Sequence, residues 1–170
     1  MQYVASPKEF DRALFSRSFY DFLQTDGKAY WVDGTHLRII SERLQDVAEG
    51  KLKKMIVTLP PRHGKSELIS KKFPAWYLLQ NPNHEIIIST YSADLSYDFS
   101  RIATSTFSRH SSLFDLQLAK DSQSVARWGI EGYRGGLVAA GVGGPITGRG
   151  FHIGIIDDPI KNREEANSDT

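Results

Sequence analysis

The chain has 170 residues, enough for one well-buried core, and its 40% hydrophobic and 24% charged content is ordinary for a globular fold. Its 21 basic and 20 acidic residues leave a formal charge of +1, which excludes a polycation that grips nucleic acid by bulk charge; any such contact has to come from a local patch or an assembly. Zero cysteines exclude disulfides, thiolate metal sites and thiol nucleophiles, and neither a long apolar run nor a signal-type N-terminus points to membrane insertion or export.

Residues 6–25 begin with Ser-Pro and space Phe10, Leu14, Phe15, Phe19 and Phe22 at helical intervals, which predicts one amphipathic helix with its aromatics in the core. A turn follows around Asp26-Gly27 and Asp33-Gly34. Tyr30 and Trp31 lie inside it; they could stack on a base, although packing is the simpler role. Leu37, Ile40, Leu44 and Val47 predict a second helix from Thr35 to Glu49, closed by Gly50.

The stretch Met55–Ser70, MIVTLPPRHGKSELIS, organises the rest of the chain. Its β-branched start predicts a buried strand, Pro60-Pro61 breaks it, and Gly64-Lys65-Ser66 leads into a helix over Glu67–Leu79, kinked or shortened at Pro74. Strand, tight loop and helix is the context of a phosphate-binding loop, because the first N–H groups of a helix are unpaired and its N-terminus is partly positive. In that reading Lys65 reaches the outer phosphates, the Ser66 hydroxyl takes a position on Mg²⁺, and Gly64 leaves room for the oxygens. The pattern departs from the usual one at Leu59, which occupies the first glycine position.

Farther on, EIIIST at Glu85–Thr90 predicts a strand, and Ala93–Phe107 a helix capped from Ser92. Residues 108–123 read as a polar connection, followed by weaker strands at Ser124–Trp128 and Gly136–Ala140 and a glycine-rich run from Gly141 to Gly150. Ile153, Ile155 and Ile156 predict a buried strand that ends in Asp157-Asp158-Pro159. Since consecutive strand residues face opposite sides, the two acids take different jobs: Asp157 for Mg²⁺ beside Ser66, Asp158 for the water that attacks the γ-phosphate. Alternating strands and helices predict an α/β fold with a largely parallel sheet and its ligand at the carboxyl ends of the strands.

Three ordered motifs carry a resemblance: PPRHGKSE at Pro60–Glu67, ISTYSADLSYDFSR at Ile88–Arg101, and TGRGFHIGIIDDPIKN at Thr147–Asn162. Together they resemble the ATPase part of a tailed-bacteriophage terminase large subunit, from about the second helix to the end of the chain. The resemblance implies a P-loop NTPase sheet of the ASCE or RecA-like kind, with residues 1–50 as a helical lead-in and 51–170 as an ATPase core. It further implies that the chain stops before the last strands of that sheet and before the family's nuclease domain. ATP and Mg²⁺ are the implied cofactors, with Pro61, Arg62, His63, Gly64, Lys65, Ser66 and Glu67 around the nucleotide and Ser66 and Asp157 on the metal. Asp158 stands where many of these enzymes have a catalytic glutamate; Arg149, from a neighbouring subunit, or Arg62 in cis would supply a cation to the γ-phosphate. The implied work is driving double-stranded DNA into a procapsid, in a homo-oligomeric ring on a portal protein, with a small terminase subunit, in the host cytoplasm and away from membranes. The rival reading is another P-loop NTPase, a helicase-like or nucleotide-sensing DNA-binding module; the Asp-Glu-x-Asp motif of helicases is absent.

Overall fold

A computed structural model describes residues 6–26, 32–146, 148 and 150–161. Residues 7–26 form two helices where the sequence pattern predicts one over 6–25: α1 (Pro7–Arg17) and α2 (Phe19–Asp26). A capping box between Ser6 and Glu9 starts α1. Ser18 then ends it, extended at φ −155°, while its hydroxyl accepts from the Asp21 N–H at 3.0 Å and starts the next helix. A serine that offers a backbone N–H this bond competes with helix continuation, and here the cap wins. Phe15, Phe19 and Phe22 are buried as expected, Phe15 edge-on to Phe22 and Phe19 edge-on to Phe73 and tilted on Trp76, while Phe10 is exposed. The Trp76 indole N–H donates to the Phe15 carbonyl at 2.8 Å, fixing α1 to the helix that follows the loop.

Helix α3 (Thr35–Ala48) buries Leu37, Ile40 and Leu44, and Gly50 takes the left-handed φ of +73° past its end. After the loop the helical run opens as a π-helical segment, Glu67–Lys72, closed by the Phe73 N–H on the Leu68 carbonyl, and passes directly into α4 (Phe73–Gln80). Pro74 causes no break: it lies in the first turn of α4, just after the widened turn, and has no N–H to offer the Ser70 carbonyl.

The sheet has five strands in the order β2-β3-β4-β1-β5: β1 (Glu85–Thr90), β2 (Leu118–Gln123), β3 (Arg127–Ile130), β4 (Gly136–Gly141) and β5 (Ile153–Ile156). Strand β1 runs parallel to β4, with Ile88 opposite Ala139, and parallel to β5, with Ile88 opposite Ile155. Strands β2 and β3 add on antiparallel, so the sheet is mixed and the expected largely parallel sheet is corrected. The cause is connection length: only residues 124–126 and 131–135 join β2, β3 and β4, too few for a parallel crossover. The crossover from β1 to β2 carries α5 (Ala93–His110), which packs on β1 and β4. Ser92 caps α5 as expected, and the helix runs three residues beyond Phe107. Polar β2 lay unrecognised in the predicted connection; as an edge strand it needs no apolar alternation and carries Lys120 and Asp121.

The predicted strand at Met55–Leu59 is not a strand. Its side chains alternate, Met55, Val57 and Leu59 half-buried against the core and Ile56 94% exposed, but among the described residues it pairs with no ladder. It lies beside the free edge of β5 across a cavity of about 630 Å³ lined by Met55, Val57, Ile153 and Ile155. Alternation thus follows from one-sided packing, and the hydrogen-bonded neighbour that defines a strand is missing.

Candidate nucleotide and metal site

The loop Pro60–Ser66 and the end of β5 come together, as the sequence pattern requires. Left-handed φ angles of +64° at Arg62 and +86° at Gly64 curl the loop. Gly64 is required twice over: its φ disfavours any side chain, and an added Cβ would stand 2.8 Å from Leu37 Cδ2. His63 shares hydrogen bonds through Nδ1 with the Pro61 carbonyl at 2.8 Å and through its own carbonyl with His36 Nε2 at 3.1 Å. The result is a concavity of about 430 Å³ lined by residues 59–67 together with Lys71 and Asp158. Glu67 is tied within it to Lys71 at 2.8 Å. Arg62 is on its exposed rim.

Across the concavity, β1 fixes the backbone of the acidic pair: the Asp157 N–H donates to Ser89 O at 2.9 Å and the Tyr91 N–H to Asp158 O at 3.2 Å. Asp158 then turns to φ +45°, and the two carboxylates differ in exposure, one side chain 6% and the other 63% exposed. Lys65 joins them, its Nζ 3.1 Å from Asp157 Oδ1 and 2.6 Å from Asp158 Oδ1. Partial burial depresses the pKa of that ammonium, but its bonds to Asp158 and Asp157 outweigh the effect and hold it above the ordinary lysine value. A cation is therefore already seated between the acids, and it projects from the loop itself.

The hydroxyl in contact with Asp157 is that of Ser70, at 2.7 Å from Oδ2. Ser66, expected to share a metal with Asp157, lines the loop concavity four residues earlier. The signal for Ser70 was present in its spacing, four residues past Ser66 and thus on the same side of the run. Arg149, Tyr30 and Trp31 lie outside the described residues.

The donors suit a shared Mg²⁺ rather than a closed metal cage. Among the described residues no group of three or more histidines and carboxylates converges, and Mg²⁺ characteristically takes one or two carboxylates, keeps waters and draws further oxygens from phosphate. Asp157 Oδ1 with a loop hydroxyl fits that demand.

Fold and site define an α/β chain with a mixed sheet whose lysine-bearing loop faces an acidic strand end. The family described as "Terminase large subunit, T4likevirus-type, N-terminal" matches residues 56–170, well over half of the chain, and the protein belongs to it. This establishes the expected family, whose members serve bacteriophage DNA packaging. No curated protein and no solved structure matches the chain. No helix among the described residues is long and apolar enough to cross a membrane.

Proposed function

We propose that the chain is the ATP-hydrolysing motor part of a terminase large subunit, which drives double-stranded DNA into a procapsid from a P-loop NTPase-type site. The observation that supports it most directly is Lys65 bridging loop and acids, 2.6 Å from Asp158 and 3.1 Å from Asp157, in a chain of this family. Without nucleotide, Lys65 neutralises the carboxylates. On binding, Lys65 would exchange Asp157 and Asp158 for the β- and γ-phosphates, while residues 61–67 would surround the polyphosphate, those after Pro61 offering loop N–H groups. Asp157 and Ser66 would hold Mg²⁺, which would supply Lewis-acid charge at the phosphate oxygens. Asp158, the more exposed acid, would then be free to orient and deprotonate the attacking water. Arg62, or Arg149 from a neighbouring subunit, meets the charge that develops on the γ-phosphate. Working partners in this reading are duplex DNA, further copies of the chain in a ring, a portal protein and a small terminase subunit, in the host cytoplasm.

The test is DNA-stimulated ATP hydrolysis by the assembled motor that contains this chain. Lys65→Ala should abolish turnover in a chain that still folds, with a lowered melting temperature because buried Asp157 loses its cation. Turnover at the wild-type rate would remove Lys65, and with it the site, from the reaction.

A further inference from the structure

The Asp157 carboxylate has two oxygens with different partners. Oδ1 faces the Lys65 ammonium at 3.1 Å, the open side where a cation belongs. Oδ2 accepts from Ser70 Oγ at 2.7 Å in a buried contact, and Ser70 is 0% exposed. An ionised carboxylate only accepts and a serine hydroxyl has one proton, so the Ser70 proton is committed to Asp157. It is then lost to the bond that a helical serine ordinarily makes with the carbonyl four residues back. The backbone of Asp157 is already fixed by its N–H on Ser89 O at 2.9 Å. What remains free is rotation of the carboxylate, and the Ser70 bond removes it.

We infer that Ser70 is a positioning residue: it locks the Asp157 carboxylate so that Oδ1 is presented to a divalent metal. This rests on the reading of the site as one for Mg²⁺ and nucleotide. The helical run that starts at Lys65 therefore acts on the metal twice, once through the loop hydroxyl of Ser66 and once, a turn later, by aiming the acid on β5. Loss of the Ser70 hydroxyl leaves Asp157 ionised and in place but free to turn, so metal affinity falls while contacts between loop and phosphate persist. Partners that orient metal ligands in this way are worth about 10- to 100-fold in metal affinity.

The experiment titrates a fluorescent ATP analogue into the full chain, once with EDTA and once across a Mg²⁺ series, with a thermal melt for every variant. Ser70→Ala should bind the analogue in EDTA as the wild type does and need about 10- to 100-fold more Mg²⁺ for the half-maximal metal effect. In an Asp157→Asn background the same substitution should change nothing further, since Ser70 acts through Asp157. Should Ser70→Ala fail to fold, Ser70→Cys, close in shape with only a weak donor, carries the same test. A wild-type Mg²⁺ requirement in Ser70→Ala, or losses that simply add in the double variant, would overturn the inference and leave the site reading intact. A wild-type chain that binds the analogue without any Mg²⁺ dependence would instead overturn the reading of the metal site, and this inference with it.

Discussion

Two extended segments carry the two halves of the site, and they are held in different ways. Strand β5 is laddered onto β1 from Ile153 to Ile156, and that register continues to the Asp157 N–H on Ser89. Segment Met55–Leu59, which delivers the loop Pro60–Ser66, has the same alternating burial and, among the described residues, no ladder. Its loop is held from the other end, by the helical run after it. There Ser70 reaches Asp157, and Lys72, with its side chain 7% exposed, reaches Asp26 at 2.8 Å. A backbone ladder thus fixes the acids, while side-chain anchors fix the cation that faces them. The lesson is that a short-range pattern of burial does not reveal whether the hydrogen bonds of a segment are made.

Separating the acids gives the largest effect. If Asp158 orients the water, Asp158→Asn should keep Mg²⁺-dependent nucleotide binding and lose about 10²–10⁴ in turnover. Asp157→Asn should first raise the Mg²⁺ requirement. Binding and single-turnover measurements on the two variants check this, and equal loss of nucleotide binding in both would erase the distinction between a laddered metal ligand and an exposed base.

Next comes the anchor under the loop helix. Asp26 is 1% exposed through its side chain and lies 2.8 Å from Lys72, 2.6 Å from Arg109 and 2.7 Å from His110. Asp26→Ala would strip the anion from a buried lysine and should cost about 3–5 kcal/mol in urea unfolding, more than any single change in segment 55–59. The same carboxyl carries a pH signature. Burial raises its pKa, but hydrogen bonds from His110 and Lys72 and their charges win, holding it well below the usual carboxylate range. Because the folded value is the depressed one, this stability is fully present above the unfolded value and is lost as pH falls from about 4 toward the folded pKa. Acid unfolding should therefore begin at higher pH in the wild type than in Asp26→Asn with matched neutral-pH stability, because the variant has no carboxylate there to protonate.

The packing of the two segments should differ by less. Ile155, 7% exposed and opposite Ile88, should cost about 2–5 kcal/mol as Ile155→Ala, whereas half-buried Val57→Ala should cost roughly 1 kcal/mol. Equal losses would show that segment 55–59 is as firmly held as β5.

The smallest effect distinguishes them most finely. Ile56 is 94% exposed, so Ile56→Ser should change stability by less than about 0.5 kcal/mol. In native-state hydrogen exchange the Asp157 amide, bonded to Ser89, should be protected while those of Ile56 and Thr58 exchange early. Protection of Ile56 equal to that of Asp157 would mean that the segment has a strand partner in solution.

The sequence alone determined what depends on neighbours along the chain. Helical periodicity marked α3 and α5, β-branched runs marked β1 and β5, and Gly64-Lys65-Ser66 and Asp157-Asp158 stood out as the two stretches that the fold brings together. Only tertiary structure decided the rest. Whether alternating Met55–Leu59 becomes a strand depends on who lies beside it, and the parallel or antiparallel sense of β2, β3 and β4 depends on where the short connections return the chain. That Lys65 sits between the acids, and that Ser70 rather than Ser66 meets Asp157, depends on distances across more than 80 positions. Local preferences act over a few residues, whereas hydrogen bonds and ion pairs between segments are fixed only when packing has brought the segments together.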